Sequence, residues 1–81
     1  MIRHIDISNK DLYRLLKMNT IGLGGNINLK IYGTLSCKSG RRMRKENRVF
    51  FRTEKEAIDR GFRPCGHCLS SEYKKWKYAI V

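Results

Sequence analysis

The apolar positions along the chain change period several times, and each change marks an element. Leu12, Leu15 and Leu16 recur at helical spacing behind Ser8 and Asp11, a capping pair, so a short helix is expected from Asn9 to about Lys17 with its leucine stripe in the core. Gly22, Gly24, Gly25 and Asn26 suit the positive-φ positions of a tight turn, so a hairpin is expected between Ile21/Leu23 and the next strand. From Leu29 to Leu35 the residues alternate, with Leu29, Ile31 and Leu35 on one face and Lys30, Tyr32 and Thr34 on the other, as in a half-buried strand. A second strand is expected over Arg48–Arg52, centred on Val49, Phe50 and Phe51. Thr53 with Glu56 forms a stronger capping box, and Gly61 is a natural C′ residue for the two-turn helix between them. After Ser70, Tyr73 and Trp76 stand one helical turn apart with lysines between them, which predicts an amphipathic helix packed on the core. The fold class is therefore α+β, a small antiparallel sheet with two or three short helices. Without repeat, linker or low-complexity stretch, residues 1–81 read as a single domain.

Length changes what this pattern can support. With 81 residues, a core alone supplies only about 3–5 kcal/mol, so a staple is expected. The chain carries three cysteines, and an odd number cannot all pair internally. The charged start Met-Ile-Arg-His-Ile-Asp lacks the apolar stretch of a secretory leader, and no apolar run reaches membrane-spanning length. A cytoplasmic location is the expectation, and there cysteines act as metal ligands or thiols rather than as a disulfide framework.

Chemistry concentrates at Cys65-Gly66-His67-Cys68. A Cys-x-x-Cys turn brings two thiolates to one ion, and its backbone N–H groups face the sulfurs. The redox use of this motif needs it to open a helix within a βαβ unit, for which the chain is too short. Cys37 lies at the end of the expected strand, where one ion can tie that strand to the C-terminal turn. This is the staple.

Charge points to the partner. Lys and Arg number 18 against 7 Asp and Glu, a net charge of +11, and such an excess is relieved by a polyanion, nucleic acid first and a membrane surface next. The segment Lys38-Ser39-Gly40-Arg41-Arg42-Met43-Arg44-Lys45-Glu46-Asn47-Arg48 carries six cations against one carboxylate. Lys38, Arg41, Arg42, Arg44, Lys45 and Arg48 are therefore the candidate nucleic-acid contacts, directed at phosphates. A membrane role would rest on the last helix alone and is not expected.

The run Glu46-Asn47-Arg48-Val49-Phe50-Phe51, then Ala57, then Gly61-Phe62-Arg63-Pro64-Cys65-Gly66-His67-Cys68 resembles the N-terminal zinc-binding domain of the Ada adaptive-response DNA repair proteins. The likeness covers about Ile31 to Cys68. It implies Zn²⁺ bound by four thiolates, contact with the DNA backbone, and transfer of a methyl group from a methylphosphotriester onto the first cysteine, which Cys37 matches as candidate acceptor. The family carries a further cysteine four residues after the first. Here Arg41 stands at that place and no thiol appears before Cys65. The fourth zinc ligand is then sought among His4, the preferred candidate, His67, and water. The expected function is zinc-dependent nucleic-acid binding, DNA above RNA, in repair or transcription regulation. The rivals are the suicide methyl acceptor at Cys37 and a zinc-stabilised module for an acidic protein partner.

Overall fold

The computed structural model describes residues 1–37 and 43–79. Five strands, β1 (Ile2–Arg3), β2 (Leu23–Asn26), β3 (Ile31–Thr34), β4 (Arg48–Phe51) and β5 (Arg63–Pro64), form one sheet in the order β1-β4-β2-β3-β5. Every pairing is antiparallel except β3 with β5, which is parallel. Among the described residues three α-helices accompany it, α1 (Asn9–Lys17), α2 (Glu54–Asp59) and α3 (Ser70–Ala79), with a 3-10 turn at His4–Asp6. The expected α+β class holds, with the parallel edge strand as its departure from an all-antiparallel sheet. Among the described residues, no helix is long and apolar enough to cross a membrane.

Helix boundaries follow the capping residues. The Asp11 N–H donates to Ser8 Oγ over 3.1 Å. At α2 the Glu56 N–H donates to Thr53 Oγ1 over 3.2 Å, and the Glu56 carboxylate accepts from the Arg52 N–H over 3.1 Å. Gly61 ends that helix at φ +84°, where a side chain would be strained.

The glycines of residues 22–25 are not the turn that sequence suggested. Gly24 and Gly25 lie inside β2, and the hairpin reverses at residues 27–30. The reason is local: Asn26 Oδ1 accepts from the N–H groups of Asn28 (2.9 Å) and Leu29 (3.1 Å), and Lys30 takes the positive φ of 56°. An asparagine side chain that mimics a backbone turn does the work assigned to glycine.

The hairpin register then sorts the side chains between two faces. Leu23 pairs with Thr34, Gly25 with Tyr32 and with Val49, so Leu23, Gly25, Tyr32, Thr34, Val49 and Phe51 share the core face. There Tyr32, Val49, Phe51, Ala57 and Phe62 form the buried cluster, with the Phe51 and Phe62 rings edge-on at 4.8 Å. Tyr32, not the Leu29/Ile31 row, is thus the core-facing row of β3. Burial, with the charge of the Glu54 carboxylate as a smaller cause, pushes the Tyr32 pKa up to about 12.

The leucine stripe of α1 does not enter the core. None of its residues is buried, and Leu16 is 38% exposed. Helix α3 also buries none, and Trp76 is 37% exposed. Its Tyr73 and Trp76 rings instead flank the Arg63 guanidinium, at 5.3 and 5.6 Å, so α3 clasps β5 rather than the core. The core face of the sheet is already filled by Ala57 of α2 and by Phe62.

Candidate metal centre

Both cysteine segments leave the sheet at the same end, because β3 and β5 run parallel. Arg63 N–H donates to Lys30 O over 2.8 Å and Cys65 N–H to Tyr32 O over 2.7 Å, which locks β5 beside β3 and delivers Cys65 just beyond the last strand residue. On β3 the Cys37 N–H donates to Thr34 O over 3.2 Å, a turn that brings Cys37 back over the sheet. Cys65 O then accepts from the Leu69 N–H over 3.0 Å, closing the knuckle that carries Cys68. The thiol sulfurs of Cys37, Cys65 and Cys68 all lie within 4.8 Å of one another, each half-buried and none in a disulfide.

Backbone donors and close packing complete this arrangement. The Thr34 N–H points at Cys68 Sγ over 3.4 Å and the His67 N–H at Cys65 Sγ over 3.4 Å, the contacts that stabilise metal-bound thiolates. Burial pushes the Cys68 thiol up from its ordinary value, opposed by the hydrogen bond from Thr34. Three sulfurs held together on a half-buried edge fit a soft divalent ion. Gly33 makes the approach possible: a Cβ there would stand 2.7 Å from Cys68 Sγ and 3.3 Å from Cys65 Cβ. Sequence reading missed this residue. Its signal was a glycine inside an alternating strand, which marks close approach of another segment.

The sequence-derived candidates divide clearly. Cys37, Cys65 and Cys68 are brought together. His4 is not: it sits beside β1, at the sheet edge opposite β5, with its ring edge-on to Phe50 at 5.3 Å. Its packing there explains why it does not fold back to the sulfurs. His67 is exposed and its imidazole lies outside the thiol cluster. Arg44 and Lys45 are exposed, and Arg48 is half-buried, stacked over Phe50 at 5.1 Å. Lys38, Arg41 and Arg42 lie outside the described residues.

A cavity of about 420 Å³ opens beside the cluster, lined by Cys37 and Cys65 together with Gly24, Gly33 and Arg48. Gly24 and Gly33 are paired across β2 and β3; the Cys68 and Cys65 side chains cover Gly33, whereas Gly24 leaves room above the strand.

His4 yields a prediction of its own. Burial lowers its affinity for a proton, and Arg48 and then Lys45 lower it further, while its Nδ1 is buried without a hydrogen-bond partner among the described residues. The fold therefore favours neutral imidazole. That contribution is fully present above the ordinary value of 6.5 and is lost as pH falls below it. His4→Phe keeps the ring contact and cannot titrate, so its melting temperature relative to the native chain rises between about pH 7.5 and pH 5.5. Parallel pH profiles for the two proteins would exclude this role.

Fold and site together define a small α+β domain stapled by a thiolate-bound metal. The family model for the metal binding domain of Ada matches residues 22–70, more than half of the chain, and the chain belongs to that family. It binds zinc, as the family and the thiol cluster together support. No curated protein and no solved structure matches it.

Proposed function

We propose that this chain is a nucleic-acid-binding domain that holds one zinc ion through Cys37, Cys65 and Cys68 and grips the DNA backbone with the basic segment that follows Cys37. The observation that carries this reading is the position of Arg48, which lines the same cavity as Cys37 and Cys65, so positive charge borders the metal centre. Family membership and the net charge of +11 support it. Zinc supplies a rigid crosslink between β3 and the knuckle. The residues of the chain do the rest: Arg44 and Lys45 meet phosphates as exposed cations, and Arg48, steadied by the Phe50 ring, sets the register on the backbone. Lys38, Arg41 and Arg42 extend the same charged segment in sequence. Zinc-bound thiolates belong in a reducing compartment, which favours the cytoplasm, and repair or transcription regulation is the setting.

The test is a salt-dependent titration of duplex DNA. Neutralising Arg41, Arg42, Arg44 and Lys45 together lowers affinity and reduces the slope of log affinity against log salt by about 0.9 for each phosphate the protein no longer neutralises, with zinc content unchanged. An identical slope before and after substitution removes the segment from the interface.

A second reading is favoured by one observation, that Cys37 lines the cavity together with Cys65. Cys37 is then a suicide acceptor: its sulfur attacks the methyl carbon of a methylphosphotriester, an S–C bond forms, the C–O bond breaks, and the electron pair leaves on a phosphodiester oxygen. Three thiolates on one zinc carry a net charge of about −1, against about −2 for four, which makes each sulfur the weaker nucleophile. Backbone binding without transfer is therefore the leading reading. Intact mass after incubation with methylphosphotriester DNA separates the two, since one methyl group added at Cys37 establishes the acceptor.

A further inference from the structure

The cavity beside the thiols has a consequence for the metal itself. Zinc takes four ligands in tetrahedral sites, and a site with three protein ligands keeps one position for an outside donor. The donors of this chain can be enumerated. Residues 38–42 are Lys-Ser-Gly-Arg-Arg and residues 80–81 are Ile-Val, so every Cys, His, Asp and Glu side chain lies among the described residues. Of all these, only Cys37, Cys65 and Cys68 bring their ligand atoms together. His4 is held at the opposite sheet edge by Phe50.

We propose that the zinc centre is a three-thiolate site whose fourth position faces the cavity beside Cys37 and Cys65 and is taken by a small thiol with an apolar body. This rests on the ligand set already proposed for the zinc ion. The chemistry of the cavity selects the donor class. Its floor is open at Gly24, which carries no side chain, its lining includes Ile31 and Met43, and Arg48 is its one cationic side chain among the described residues. A flat apolar group lies against such a floor better than water does. The sulfur-rich, borderline-soft centre suits a soft donor. A fourth thiolate brings the centre to about −2, and the Arg48 guanidinium offsets the added charge. A thiol entering that position would bind as thiolate, giving its proton to solvent and displacing a water ligand, with no change of oxidation state.

Cobalt(II) in place of zinc makes the coordination visible, and benzenethiol is the probe, with phenol as the control that lacks sulfur. The expected result is a saturable red shift of the visible d–d bands with added sulfur-to-cobalt charge transfer, cobalt retained through gel filtration, and no response to phenol. Gly24→Val fills the floor from a position where a Cβ meets only Val49 O at 3.7 Å and Leu35 Cδ2 at 3.8 Å. It leaves the thiol-free cobalt spectrum unchanged and weakens benzenethiol binding by about tenfold or more. A spectrum unmoved by benzenethiol overturns the open position. If that unmoved spectrum changes in His4→Ala or His67→Ala, the chain itself fills the fourth place. Absence of any cobalt–thiolate absorption overturns the metal assignment as well, which distinguishes failure of the proposed ligand set from failure of the open site.

Discussion

Removal of zinc with a strong chelator abolishes the cooperative thermal transition of this domain. Relative magnitudes decide this. Neither α1 nor α3 buries a residue, and the buried apolar set among the described residues is confined to Ile21, Tyr32, Val49, Phe50, Phe51, Ala57 and Phe62. A core of that size supplies about 3–5 kcal/mol, whereas a structural zinc contributes about 10–16 kcal/mol of apparent binding free energy that is also folding free energy. Losing the larger contribution leaves a core with too little margin to hold β3, β5 and the knuckle together cooperatively. Strand β5 depends on the ion most, since it is two residues long and, among the described residues, pairs with β3 alone. Cys65→Ser and Cys68→Ser are therefore expected to be unfolded at ambient temperature, by circular dichroism and by loss of dispersion in amide NMR spectra. A native melt in chelator would show that the sheet stands without its staple.

Gly33→Ala drives a methyl group into the metal centre and lowers both stability and zinc affinity. The new Cβ would lie 2.7 Å from Cys68 Sγ and 3.3 Å from Cys65 Cβ. Neither neighbour can swing aside, because Cys65 is fixed by its N–H bond to Tyr32 O and Cys68 by its place in the cluster. The knuckle must move off the sheet, at a cost of about 1–3 kcal/mol in strain, with loss of zinc affinity on top. The internal control is Gly24, its partner across the strands, where an added Cβ has only van der Waals contacts at 3.7 and 3.8 Å. Gly24→Ala should melt within a few degrees of the native chain and hold zinc as well. Equal zinc affinity in the two variants, measured by competition with a chromophoric chelator, would mean that Gly33 does not set the approach of the knuckle.

Capping made the helices legible in the sequence. Ser8/Asp11 and Thr53/Glu56 are local signals, satisfied by atoms three residues apart, and the structure forms both bonds. The cysteine grouping was legible for a related reason: the Cys-x-x-Cys knuckle is local, and Cys37 stands at the end of a strand whose neighbour leads into that knuckle. What the sequence hid was long-range. The bare glycine strand β2 read as a turn, because its need for small residues comes from Phe51, Phe62 and the β3 backbone packing against Gly25. The α1 leucines read as core, because periodicity reports an apolar face without reporting whether the sheet has a free face to receive it. His4 read as a ligand by elimination, and Phe50, distant in sequence, holds it elsewhere. Gly33 was silent, since its role is a distance to a sulfur far along the chain.

The central claim is that one zinc ion, held by the three cysteines of this chain, staples β3 to the C-terminal knuckle. Titrating the native protein with a mercurial that captures thiolates, while a metallochromic dye records released zinc, tests it most directly. The account predicts one zinc ion freed per chain, in step with modification of three thiols, and loss of β-sheet circular dichroism over the same additions. Three thiols modified with no zinc released and the sheet intact would contradict it.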